Sequence, residues 1–269
     1  LQQARASAEP FARAIRRIIL DQSRRANVGH IGSSLSIADI VAVLYCGVLR
    51  VEDPDDSDRD RFVLSKGHAA LALYAALRLR EWLSEDELGS FCGDGTLLGT
   101  HPERELRGVD FSTGSLGHGL SMAAGAALAA RLGRSGRRVY CLISDAECNE
   151  GSTWEAAMFA AHNRLDNLIA IIDANGQQAL GYTRDVLDLE PLQERWSAFG
   201  WDAHVVDGHD HEALRDLLVG LEPEGRPHIV VARTTFGRGV SFMGGRIEWH
   251  YLPMTDEQHR DALAEIEST

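Results

Sequence analysis

Apolar residues recur along the chain with two alternating periods, and each change of period marks a new element. From Ala12 to Ala26 the spacing is helical, and Gly29-His30-Ile31-Gly32 interrupts it. Ser36 opens a second helix that runs through Leu49. Glu52 to Asp60 is an acidic loop containing Pro54, followed by a short strand, Arg61 to Leu64. Ser65-Lys66-Gly67-His68 leads into an Ala- and Leu-rich helix from Ala69 to Arg80, and Gly119 to Leu132 is a small-residue helix suited to close packing. The apolar run from Val139 ends at Asp145, and the helix after it carries a capping-box pattern, Ser152 with Glu155. A second apolar run ends at Asp173, and then come a helix (Glu190 to Phe199), a strand (Trp201 to Val206), a helix (His211 to Leu221) and a strand (His228 to Arg233). This alternation predicts an α/β fold: a doubly wound, mostly parallel sheet with helices on both faces. Gly93 to Ser115, rich in Gly, Thr and His, is too long for an ordinary connector and is expected to be a binding loop. No repeat, low-complexity tract or linker divides the chain, so residues 1–269 are expected to form one domain.

Composition narrows the class. With 44% hydrophobic and 25% charged residues among 269, the chain can bury a substantial core. A formal net charge of -13 argues against a general binder of nucleic acid or anionic membrane, which normally presents a basic face. Cys46, Cys92, Cys141 and Cys148 form no CxxC pair and no zinc-ligand spacing, which reads as reduced thiols of a cytoplasmic protein. No apolar run reaches the length of a membrane span, about 18 residues. The first residues lack an apolar signal core and read as an amphipathic helix, and the missing initiator Met leaves room for further N-terminal residues.

The candidate chemistry lies between Val139 and Gln177. Ligands of open parallel sheets sit beyond the carboxyl ends of the strands, where the pattern places both Asp145 and Asn175. The 30 positions between them suffice for one crossover helix between neighbouring parallel strands. An Asp oxygen, an Asn oxygen and one main-chain carbonyl make half of the near-octahedral shell that Mg2+ prefers when it shares a site with phosphates. Spacing alone leaves a second reading open, in which Asp145 caps the next segment and Asn175-Gly176 is a turn.

The run Ser144-Asp145-Ala146 to Asn175 resembles the thiamine-diphosphate motif, Gly-Asp-Gly followed by Asn after a similar span. Five further segments match in order: Gly29 to Gly32, DRFVLSKGHAALALY from Asp60 to Tyr74, His101-Pro102-Glu103, TGSLGHG from Thr113 to Gly119, and Asp207 to Asp210. Together they make nearly the whole chain similar to the N-terminal half of transketolases, or to the N-terminal subunit of a split one. The resemblance implies that Asp145, Asn175 and the carbonyl of Gln177 bind Mg2+ (or Ca2+ or Mn2+) bridging the phosphates of thiamine diphosphate. It places His68 and Ala146 beside the diphosphate, and Gly114, Ser115 and Leu116 around the aminopyrimidine. His30 and His101 match histidines that contact sugar hydroxyls, His250 one that assists diphosphate binding or proton transfer, and Glu150 a glutamate of a proton relay near the subunit interface. His118 stands where many transketolases have Gln and is expected only to line the pocket; His209 and His211 are read as structural.

Two departures follow from the comparison of motifs. The second glycine of Gly-Asp-Gly is Ala146, which costs on the order of 1 kcal/mol if that position needs positive φ and little if it needs only a small residue. In addition, no segment after Pro253 resembles the pyrimidine-binding domain or the C-terminal domain of a complete transketolase. The expected function is therefore the diphosphate-binding subunit of a two-component transketolase, paired with a pyrimidine-binding partner in a cytoplasmic heterotetramer. It would transfer a two-carbon ketol unit from a ketose or ketose phosphate to an aldehyde or other carbonyl acceptor. Alternatives are a subunit of an enzyme using 2-oxo acids, a ketol transferase of specialised metabolism, and a non-catalytic scaffold.

Overall fold

Alternate residues of the two central strands feed two separate cores. In β2 (Val139–Ser144) and β3 (Leu168–Ala174) every residue is buried. Tyr140, Leu142, Ile169 and Ile171 join one apolar cluster, while Val139, Cys141, Ile143, Ala170 and Ile172 join the other. A period-two strand that is apolar on both faces needs helices on both, which is the condition for a parallel sheet.

The computed structural model describes residues 7–268, so positions 1–6 of the amphipathic segment predicted at the N-terminus lie outside the described residues. The chain opens with α1 (Ala8–Ala26), α2 (Ile31–Ser36) and α3 (Ala38–Val43), then β1 (Arg61–Leu64), α4 (Ala70–Leu79), α5 (Glu85–Gly89) and α6 (Gly119–Leu132). After β2 come α7 (Gly151–His162) and β3, a small hairpin of β4 (Gln177–Gln178) and β5 (Gly181–Tyr182), α8 (Thr183–Leu187) and α9 (Leu192–Ala198). β6 (Asp202–Asp207), α10 (His211–Gly220), β7 (His228–Arg233) and α11 (Asp256–Ser268) complete it. Five strands form one parallel sheet in the order β1-β2-β3-β7-β6. Helices α1, α3, α4, α10 and α11 cover one face; α6, α7 and α9 cover the other.

Three expectations are corrected. Gly32 does not break a helix but lies inside α2, which starts at Ile31. Its role is close approach, since a Cβ at Gly32 would stand 2.1 Å from the Phe236 ring. The break falls earlier, where Asn27 ends α1 in the left-handed conformation and His30 is left-handed as well. The predicted helix from Ser36 to Leu49 divides: Ser36 is the last residue of α2, and α3 and a π-turn, Leu44–Val48, follow. Ser152 caps nothing: it lies one residue inside α7, and its hydroxyl donates to the Gly117 carbonyl. A capping box does occur where none was predicted, between Ser84 and Glu87 at the start of α5. The hairpin, α5, α8 and α11 were also unpredicted; the hairpin strands, α5 and α8 are five residues or shorter, too short for a period to show. Among the described residues no helix is long and apolar enough to cross a membrane.

Candidate active site

All five strands run the same way, so their carboxyl ends form one edge carrying Ser65, Asp145, Asp173, Asn175 and Thr234. Asp145 follows β2 directly, and its buried carboxylate accepts from the Ala146 and Gly176 amides, both at 2.8 Å. The turn after β3 therefore wraps the end of β2. Asn175 Oδ1 accepts from the Gln177 amide at 2.9 Å, and its Nδ2 donates to Asp173 at 2.8 Å, which fixes which end of the amide carries the oxygen. Gln177 is buried, with Nε2 donating to the Gly245 carbonyl at 2.7 Å and Oε1 unpartnered. Burial, and then the charge of Asp173, push the Asp145 carboxyl up to about 7. Burial thus works against the charged form of this group, and a bound cation would reverse that balance.

Beneath this turn lies a charged pair. Asp173 is wholly buried and accepts from Lys66 Nζ at 2.5 Å, from Ser36 Oγ at 2.7 Å and from Thr234 Oγ1. Lys66 Nζ also donates to the Ser33 carbonyl. A second buried acid, Glu147, ties the end of β1 to the loop before α6: it accepts from Ser65 Oγ and from the Gly117 amide at 2.8 Å. Burial raises the Glu147 carboxyl, with these hydrogen bonds opposing.

Three histidine rings gather over the same edge. Centroids of His30 and His68 are 5.4 Å apart, those of His30 and His250 6.1 Å, and those of His68 and His250 6.0 Å. His30 takes φ +60°, a left-handed conformation uncommon for a residue with a Cβ. His68 Nε2 shares a hydrogen bond with Ser33 Oγ at 2.8 Å, and His250 packs against Phe236 at 4.8 Å. Burial lowers all three below the ordinary histidine value, helped by His101 and then Lys66 at His30, and by Lys66 and then His30 at His68 and His250; His250 falls to about 4. Burial thus disfavours the charged form of each ring. His101 adds a fourth, exposed ring whose charge also bears on His30, and its carbonyl accepts from Tyr74 Oη at 2.9 Å. Together with Gly114, Ser115 and His118 it lines a cavity of about 490 Å3.

The comparisons bear on this geometry. The transketolase, thiamine diphosphate binding domain matches residues 7–265. The chain belongs to the transketolase family. The 6-deoxy-6-sulfo-D-fructose transketolase subunit SqwG of Clostridium sp. (strain MSTE9) is 40% identical over 260 residues, 95% of this chain and 94% of its own length. An apulose-4-phosphate transketolase subunit of Actinobacillus succinogenes is 43% identical over 256 residues, 93% of this chain and 92% of its own. Among solved structures, the transketolase from Leishmania mexicana matches with a TM-score of 0.89 at 33% identity, over 97% of this chain but only 41% of that one.

Within the transketolase frame the residues present fit the cofactor. The donors at Asp145, Asn175 and Gln177 are oxygens, the chemistry a hard cation takes. His30 Nδ1 is buried without a hydrogen-bond partner. At Gly114 a Cβ would stand 2.9 Å from the His101 ring, so a larger side chain there would push that ring aside. The departure at Ala146 is resolved: it opens a 3-10 turn, Ala146–Asn149, with negative φ, so the missing glycine imposes no backbone strain. Leu116 is half-buried and Ser115 exposed. Glu150 is exposed at the start of α7 with its Cβ beside Gly117, so it borders the loop before α6.

His209 and His211 sit elsewhere. His209 Nε2 accepts from the Thr235 amide, so Nδ1 carries the proton donated to Asp39 at 2.7 Å. His211 and Arg16 also bind Asp39. Burial works to raise that carboxyl, yet these partners hold it well below the usual range. Sequence reasoning missed Lys66, Asp173 and Glu147 as parts of the site. Lys66 and Asp173 lie inside the matched segments, but a pairing across 107 positions leaves no local signal.

Proposed function

We propose that this chain is the diphosphate-binding subunit of a two-component transketolase that transfers a two-carbon ketol unit from an anionic ketose to a carbonyl acceptor. The observation that carries the reading is the gathering of His30, His68 and His250 within reach of the Lys66 charge, whose partner Asp173 holds Asn175 of the Asp145–Asn175 turn. It occurs in a chain matching two named transketolase subunits along nearly their whole length. Those relatives are named for a sulfonated and a phosphorylated ketose, which supports an anionic donor. Thiamine diphosphate, when bound, supplies the carbanion-stabilising chemistry. Asp145, Asn175 and the Gln177 carbonyl would hold Mg2+ against its diphosphate, with His68 and Ala146 alongside. Gly114, Ser115 and Leu116 would meet the aminopyrimidine.

His30, His101 and His250 would orient sugar hydroxyls and move protons. Burial favours the neutral form of His30 and His250, which offers one donor and one acceptor nitrogen, the state a proton carrier needs. Glu150 would relay a proton toward a neighbouring site. The pyrimidine-binding groups would come from a second polypeptide, in a cytoplasmic heterotetramer with two copies of each. Exposed Leu180, Tyr182, Tyr251 and Leu252 support such a cover, because Tyr251 Oη binds the Ala179 carbonyl and so brings the 251–252 segment beside the 180–182 segment.

Calorimetry with thiamine diphosphate and Mg2+ on the co-expressed complex tests the proposal, followed by a ketol-transfer assay over sulfonated and phosphorylated ketoses. Asp145→Ala is expected to abolish both binding and transfer. Unchanged binding and activity in that variant would overturn the cofactor assignment, and a complex that binds the cofactor but transfers from no ketose would favour the scaffold reading.

A further inference from the structure

A second donor cluster lies at the opposite end of the sheet, independent of the cofactor reading. Asp202 and His204 are two residues apart on β6 and so share a face. His228 begins β7 as the register partner of Asp202 and points the same way. Asp202 Oδ2 stands 3.0 Å from His204 Nε2 and 3.2 Å from His228 Nδ1. All three donor atoms lie within 4.8 Å of one another. Around tetrahedral Zn2+, with bonds of about 2.0–2.1 Å, neighbouring donors stand about 3.3 Å apart. The two shorter edges of the cluster already have that length.

We propose that Asp202 Oδ2, His204 Nε2 and His228 Nδ1 bind a Zn2+-class transition-metal ion, with the fourth position open to water. Two imidazoles and one carboxylate are a donor set such ions take. The paired backbones of β6 and β7 hold the donors in place, and His228 is only 3% exposed. Its other nitrogen supports the assignment. His228 Nε2 is buried with no partner in hydrogen-bond geometry, although the Glu222 carbonyl faces the ring. Without a metal, the Nδ1 proton is spent on Asp202 and Nε2 is an idle acceptor. With the ion on Nδ1, the proton moves to Nε2 and points at a carbonyl, the outer partner that metal-bound histidines usually have. Asp202 and His204 are each about a third exposed, which leaves the ion a way in. Arg226, 3.9 Å from Asp202 Oδ1 and half exposed, is the competing cation and is free to turn away. The bound ion would clamp the edge strand β6 to β7.

The test is direct. The full chain, stripped with a chelator, is titrated with Zn2+ against a chromophoric competitor and with Co2+ in the visible. One tight Zn2+ per chain and the absorption of four-coordinate Co2+ are expected, together with a higher Tm. His204→Ala and Asp202→Asn, at partly exposed positions, are expected to weaken Zn2+ at least about tenfold with unchanged circular dichroism. Arg226→Ala is expected to tighten it. Failure to bind one equivalent would overturn the proposal. So would binding that survives His204→Ala and disappears in His101→Ala.

Discussion

Lys66→Met isolates the buried charge on which the cofactor edge rests. The substitution keeps the apolar stem and removes the ammonium, so little cavity forms at a side chain that is 1% exposed. Asp173, wholly buried, retains Ser36, Thr234 and Asn175 as neutral donors but loses its counter-charge. Removing one partner of a buried pair typically costs about 3–5 kcal/mol, because the remaining charge stays out of water. Asp173→Asn alone strands the ammonium and is expected to cost a similar amount. The double variant buries no charge, so its loss should fall short of the sum by at least about 2 kcal/mol. Urea denaturation followed by tryptophan fluorescence reads this well, since Trp196 and Trp201 are both buried. Stability and cofactor affinity should then separate. An amide at 173 offers one acceptor oxygen in place of two, so either Thr234 or Asn175 loses its partner, and thiamine diphosphate affinity in the double variant is expected to drop about tenfold. A Lys66→Met cost below about 1 kcal/mol, with additive losses in the double variant, would refute the argument.

Gly32→Ala places a methyl 2.1 Å from the Phe236 ring, which packs on His250; a loss of about 1–3 kcal/mol in urea is expected, with weaker cofactor binding. Ala146→Gly is expected to lower stability by about 0.5–1 kcal/mol and leave cofactor affinity within about threefold, because the backbone there already has negative φ; a gain above tenfold in calorimetry would show that the methyl itself obstructs the diphosphate. His250 has an ordinary value of 6.5 lowered to about 4 in the fold. Between those values the unfolded chain binds more protons, so the contribution is intact above pH 6.5 and is lost as pH falls toward 4, by about 3 kcal/mol in total. The difference between the parent and His250→Gln should show that slope in urea midpoints from pH 7.5 to 4.5. Asp145, raised by burial, pulls the other way but is common to both proteins; parallel curves would contradict the neutral burial of His250.

Local chemistry makes the architecture readable in the chain itself. Strands such as Val139–Ser144 and His228–Arg233 are unbroken apolar runs between polar ends, and only a sheet buried on both faces satisfies that pattern. Asp145 and Asn175 were placed at the strand ends by the same argument, because a polar residue closing such a run emerges at the edge of the sheet. The two readings left open there also prove compatible: Asp145 does cap the turn that follows it, and Asn175-Gly176 is a turn, and the two are joined by the Gly176 amide.

Gly32 shows where reading by residue type stops, since a glycine that looked like a helix breaker is a contact point for a ring 204 positions away. The same holds for Ser152, which matched a capping box but binds the Gly117 carbonyl. Periodicity and motif order depend on neighbours within a few residues, so the sequence alone determined the strands, the longer helices, the family resemblance and the set of candidate donors. Which charges pair, which rings stay neutral and whether Ala146 is strained depend on burial and on distances between remote segments. Those quantities exist only once the chain has folded, and the tertiary structure alone decided them.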